Sequence, residues 1–188
     1  MIGRTHDLAA FTSLVIAAIY LPIETMSIGN ALAVLLVAMV GGLLPDLDEP
    51  TADIWDTIPV GEVLGRVLSP LFGKHRNISH SILGIFIANF GSIYLFSLLK
   101  PYILLDLEII RYAFMLGFLS HLFMDSLTQA GIPLLFPLRY KFGIPPFKSL
   151  RIKTGGLVEQ LIVFPGLVLL NIYLIWHYYP VFSQILVK

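Results

Sequence analysis

"IGNALAVLLVAMVGGLLPDLDEP", residues 28–50, sets the terms for the whole chain. From Ile28 to Pro45 no side chain is charged, and then Asp46, Asp48 and Glu49 follow at once. Those uncharged residues, coiled as a helix, rise about 27 Å, close to the roughly 30 Å of bilayer hydrocarbon. The stretch therefore reads as a spanning helix that ends in an acidic rim. Pro45 breaks its regular part, because proline has no N–H to donate and its ring crowds the preceding turn.

Composition agrees. Of 188 residues, 57% are hydrophobic and 13% charged, with a mean hydropathy of +0.85. Soluble domains carry about twice that share of charge, so the expected class is an all-α integral membrane protein. Twelve basic residues balance twelve acidic ones, so net charge argues for no nucleic-acid partner. With no cysteine, disulfides, thiolate nucleophiles and Cys-ligated zinc are excluded. Any metal site must be built from histidines and carboxylates.

Five apolar runs are candidate spans: 8–23, 28–45, 81–99, 109–127 and 157–176. The first lacks a small-x-small cleavage site followed by a polar start, so it reads as a retained helix rather than a signal peptide. One membrane-embedded domain, 1–188, is expected. With the N-terminus inside, the inner side holds Arg4, Arg66, Lys74, Arg76, Arg139, Lys141, Lys148, Arg151 and Lys153. Lys100 and Lys188 fall outside, with Arg111 near that boundary. This asymmetry places the N-terminus in the cytoplasm.

Two long connections, 46–80 and 128–156, lie on that inner side, and loops of such length are functional or disordered. "RYKFGIPPFKSLRIK", residues 139–153, interleaves basic with aromatic residues and suits an anionic membrane surface, or serves only as a topology signal.

Ionisable residues gather at the same rim. His6 precedes the first span, Asp46 and Asp48 follow the second, His75 and His80 lie in "HRNISHS" before the third, and His121 and Asp125 end the fourth in "SHLFMD". The topology argument used none of them. His121 and Asp125, one helical turn apart, share a face and can reach one ion, although such a pair is also a common helix-end hydrogen bond. His75 and His80 cannot share a helical face; the spacing works if Ser79 caps the third helix and His80 opens it. Of Asp46 and Asp48, one can ligate while the other accepts a hydrogen bond from a ligating histidine, and Asp46 is the first choice. His177, beside tyrosines on the opposite side, reads as an interfacial belt residue.

Neutral imidazoles with carboxylates suit zinc, manganese or iron(II), and seven candidate ligands are enough for one ion or two. A metal pair can clamp the attacking and leaving oxygens of a phosphoester. Arg76 is then placed to hold a phosphate oxygen, or it is a positive-inside residue.

"PDLDEP", "HRNISHS" and "GFLSHLFMDSLTQAGIPLLFPL" resemble the signatures of the YdjM-like inner-membrane proteins, described as membrane-bound metal-dependent hydrolases. The likeness covers most of residues 1–157, and "KTGGLVE", residues 153–159, extends it. Asn77 stands where that family commonly has glycine. The family is more distantly similar to the zinc-dependent phospholipase C and single-strand nuclease group. That resemblance implies His6, Asp46, His75, His80, His121 and Asp125 as metal ligands, with Asp48 a ligand or general base.

The expectation is metal-assisted hydrolysis of a phosphoester, on a phospholipid or lipid phosphate at the cytoplasmic leaflet of the inner membrane. Asp48 orients or deprotonates the attacking water, and Arg76 stabilises the added charge. A metal transporter or a metal-binding protein without hydrolytic activity is the rival. An HExxH metalloprotease is excluded by the absence of that motif.

Overall fold

The computed structural model describes residues 1–23, 25–49, 55, 78–138 and 140–187. Among the described residues, six helices carry the fold: α1 (Gly3–Tyr20), α2 (Ile28–Leu43), α3 (Ile82–Leu99), α4 (Leu107–Ser126), α5 (Phe164–His177) and α6 (Tyr179–Ile185). A strand pair, β1 (Met26–Ser27) with β2 (Leu186–Val187), is two residues long and parallel. The protein is all-α. Among the described residues, four segments are long and apolar enough to cross a membrane: Ile28–Asp48, Ile82–Leu99, Leu107–Ser126 and Glu159–His177. Helix α1 falls outside that group. It starts at Gly3 rather than Leu8 and so takes Arg4, His6 and Asp7 into its first turns.

Helix starts follow short polar side chains. Ser27 accepts a hydrogen bond from the Asn30 N–H at 3.2 Å, and Asp106 accepts from Glu108 and Ile109. Ser81, not Ser79, caps α3 by accepting from the Gly84 N–H. The expected register slips by two residues because the Ser79 hydroxyl is committed to two other side chains, described below. At the end of α2, Pro45 interrupts the ladder, and Leu44–Asp48 tightens into a 3₁₀ turn. Before α5, Glu159–Val163 forms a π-helical turn, a feature frequent at functional sites.

Packing is inverted relative to a soluble bundle. Leu36 of α2 is 62% exposed, and Phe90, Ile172 and Trp176 are also exposed, whereas Thr5, Thr12, Ser92, Ser120 and Asn171 are buried. In lipid the large apolar side chains need no shelter, and small or polar residues bring helices together. The most extensive interface joins α2 to α4. A Cβ on Gly117 would overlap the carbonyl oxygen of Ala38, and one on Gly41 would overlap that of Phe114. The two backbones therefore touch, a contact only glycine permits. Helix α1 packs on α4, α2 and α5, and the Asn171 amide donates to Thr12 Oγ1 at 2.7 Å across α5 and α1.

The connection after α4 is ordered and folds back on the site's end of the bundle. Thr128 bridges to Ile152, Ile132 bridges to Phe142, and Arg151 donates to the carbonyls of Pro145 and Pro146 at 2.7 and 2.8 Å. Arg151 thus closes the loop from within, while Tyr140, Phe147 and Leu150 stand exposed. At the far end of the bundle, His177 stacks on Tyr173 with ring centroids 5.5 Å apart, in keeping with an aromatic belt.

If the glycine contact sets the α2–α4 distance, Gly117→Leu should lower stability by about 2 kcal/mol or more. Gly166→Ala, which meets nothing within 4 Å, should leave it unchanged. Thermal unfolding in detergent distinguishes them.

Candidate metal centre

Four elements deliver the side chains to one end of the bundle. His6 comes from the second turn of α1, Asp46 from the 3₁₀ turn after α2, His80 from the turn before α3, and His121 and Asp125 from the last turns of α4. His6, His80, His121 and Asp125 are fully buried, and Asp46 is 26% exposed. Two ligand groups result: His6, His121 and Asp125, and Asp46, His80 and His121. Within each, one ligand atom per residue lies within 4.8 Å of the others. His121 belongs to both. Its ring stacks on His6 at 3.7 Å and meets His80 edge-on at 5.2 Å.

The second ring nitrogens show which lone pairs face inward. His121 Nδ1–H donates to the Gly42 carbonyl at 2.6 Å, a contact that exists because α2 and α4 touch at their glycines. That fixes the tautomer and turns the unprotonated Nε2 toward Asp46 Oδ1 at 3.5 Å and Asp125 Oδ2 at 3.9 Å. Ser79 Oγ–H donates to Asp48 Oδ2 at 2.7 Å, so the hydroxyl accepts from His80 Nδ1–H at 2.9 Å. His80 Nε2 then points at Asp125 Oδ2, 3.4 Å away, and Asp46 Oδ1, 3.5 Å away.

Lone pairs facing carboxylate oxygens in a buried space repel unless a proton or a metal cation lies between them. Among the described residues, the buried Asp46 Oδ1 and His121 Nε2 make no hydrogen bond. The donor set, imidazole nitrogen with carboxylate oxygen, is that of a zinc, manganese or iron(II) ion. The residues present therefore fit a divalent metal. The group around His6 differs, because the Met1 amino group donates to Asp125 Oδ1 and to His6 Nε2. Those contacts engage Asp125 Oδ1 and His6 Nε2, whereas the triad of Asp46, His80 and His121 includes the part-exposed Asp46.

His80 lies just outside the spanning helices. Burial disfavours its charged form, but the Asp125 and Asp46 carboxylates outweigh burial and hold its pKa above the ordinary imidazole value.

Of the residues expected from sequence, His6, Asp46, His80, His121 and Asp125 come together. Asp48 is buried behind Ser79, in neither ligand group, and reaches His80 through the serine hydroxyl. His75 and Arg76 lie outside the described residues. Two contributors went unread in the sequence, the Gly42 carbonyl and Glu159, and Ser79 was read only as a helix cap. The Glu159 carboxylate, fully buried, accepts from the Ile2 and Gly155 N–H groups at 2.8 Å each, and so fastens the segment before His6 to the start of α5. Its sequence signal was a carboxylate inside an apolar run, costly in a membrane unless it is used.

Fold and site together define an all-α membrane protein with a buried His/Asp cluster able to hold a metal ion. The model of the YdjM inner membrane protein family matches residues 1–183, and the chain belongs to that family. It is 32% identical over 173 residues to the uncharacterized protein YvsG of Bacillus subtilis, covering 92% of this chain and 93% of that one. It is 35% identical over 103 residues to the inner membrane protein YdjM of Escherichia coli, covering 55% of this chain and 48% of that protein. The match to YdjM of Shigella flexneri has the same extent. No solved structure matches.

Ser79→Ala should weaken metal affinity about 10- to 100-fold by freeing the His80 ring, whereas Ser79→Thr should retain it. Competition against a chelator measures both. A proton and a metal compete for His80 Nε2, and its raised pKa makes the proton the stronger competitor. Metal affinity should therefore fall as the pH is lowered from about 8 to about 6.

Proposed function

We propose that this protein is a metal-dependent hydrolase that cleaves a phosphoester of a phospholipid or lipid phosphate at the cytoplasmic leaflet. The observation that carries the reading is the Asp46–His80–His121 triad: ligand atoms converge in a buried space, and Asp46 alone keeps a partly open side. A closed structural site has no such opening, whereas a catalytic one needs it. A bound divalent ion would polarise the phosphoryl oxygen and lower the pKa of a water. Zinc is the first choice, one ion or two, with manganese and iron(II) as alternatives.

The chain's own residues set the geometry. Gly42 and the Ser79–Asp48 pair hold the two imidazoles in the tautomers that leave Nε2 for the ion. Asp48, through Ser79, is a positioning residue for His80 and is close enough to the rim to orient water. Arg76 is assigned to phosphate from its place in "HRNISHS". Five helices, α1 included, make one membrane-embedded domain with its N-terminus inside. In support, the ordered loop that carries Lys141, Lys148, Arg151 and Lys153 returns to the end of the bundle where His6 and Asp125 lie, and Lys100 ends α3 at the other.

A second reading, a metal that only stabilises the bundle, is favoured by the full burial of His6, His80, His121 and Asp125. Purified protein loaded with zinc in phospholipid vesicles separates the two. His121→Ala and Asp125→Ala should lose bound metal by elemental analysis and lose release of phosphate or a soluble phospho-head group. Metal-replete protein that releases neither from any lipid phosphate would leave only the stabilising role. Full metal content in His121→Ala would remove the site altogether.

A further inference from the structure

We infer that the groove between α2, α3 and α4 is the binding channel for one acyl chain of the lipid whose phosphate is presented at the metal centre. The groove has a volume of about 690 Å³, within the range of small-molecule sites. Its walls are almost wholly apolar, with Val40, Ala88, Leu95 and Phe118 among them. Ser92 also lines it, but its hydroxyl donates to the Asn89 carbonyl and so adds no free polarity. The polar end is formed by Asp48 and Ser79, the pair that positions His80.

Length and direction select the occupant. Along α3 the groove runs from Gly84 to Phe96, a rise of about 18 Å, a little over half of the roughly 30 Å hydrocarbon thickness. It thus covers one leaflet, from the rim where the metal ligands gather to the bilayer middle. Only hydrocarbon surrounds a spanning helix at that depth. A lipid tail lying in the groove carries its head group to Asp48 and Ser79 at the other end. The midpoint is open: a Cβ on Gly91 meets no atom within 4 Å. The inference rests on the lipid-phosphoester reading for which end the head group takes, but binding of the chain itself needs no turnover.

The test uses a phospholipid bearing a diazirine within its acyl chain, in vesicles of phosphatidylethanolamine and phosphatidylglycerol, with labelled residues mapped by mass spectrometry. Phe114 lines the groove from α4 and is only part-buried, so a chain seated there can reach it. Phe114 should be labelled in the unmodified protein and lose that label in Gly91→Phe. Ile93→Phe adds bulk on the opposite face, where Ile93 is 43% exposed, and should keep it. Gly91→Phe should also raise the KM for a long-chain lipid about tenfold or more while sparing a short, water-soluble phosphoester. His121→Ala should keep the Phe114 label and lose hydrolysis.

An unlabelled Phe114, or equal labelling in Gly91→Phe, would overturn the channel while the hydrolase reading stood. Labelling that follows this pattern with no hydrolysis by any variant would support the channel and remove the hydrolase. A dimer that Gly91→Phe disperses would overturn the inference by making the groove a contact between copies.

Discussion

Gly41 and Gly117 set the distance between α2 and α4, and the site depends on that distance. With side chains at those positions the helices would stand apart by the width of a methyl group or more. The Gly42 carbonyl could not then meet His121 Nδ1 at 2.6 Å and fix the imidazole tautomer. In a membrane this contact is unusually effective. Lipid competes as well as any leucine for apolar surface, so close backbone approach and buried polar bonds do what hydrophobic burial does in water.

The same logic explains why so many polar groups lie inside. Glu159 holds Ile2 and Gly155, Asn171 ties α5 to Thr12, and Asp48 supports His80 through Ser79. Each satisfies a group that hydrocarbon could not, and each also orients a neighbour. Where two elements meet at the rim, the hydrogen bonds are directed outward from the histidines, and the lone pairs are left to converge. A cluster held in that way has few ways to rearrange, and it is able to hold a cation.

The architecture was largely legible. Uncharged runs and Pro45 told of helices and their ends. The spacing of His121 and Asp125 announced a shared face, and His6, Asp46 and His80 were readable as rim residues because ionisable groups beside apolar runs need a use. Less legible were the starts of α1 and α3. Helix α1 begins five residues early because the buried cluster compensates the polar first turn. Helix α3 is capped by Ser81 because Ser79 is bonded to Asp48, a residue 31 positions away.

By itself, then, the sequence determined an all-α membrane protein and the residue types that gather at one rim, because hydropathy and charge act locally along a chain. Only the tertiary structure decided which of them share an ion's space. It divided the paired aspartates, setting Asp46 among the ligand atoms and Asp48 behind Ser79. It grouped the cluster into two triads around His121, and it recruited Glu159 and a main-chain carbonyl that no motif marks. The reason is physical: a ligand set is defined by distances and lone-pair directions, and these arise from backbone contact between helices far apart in sequence.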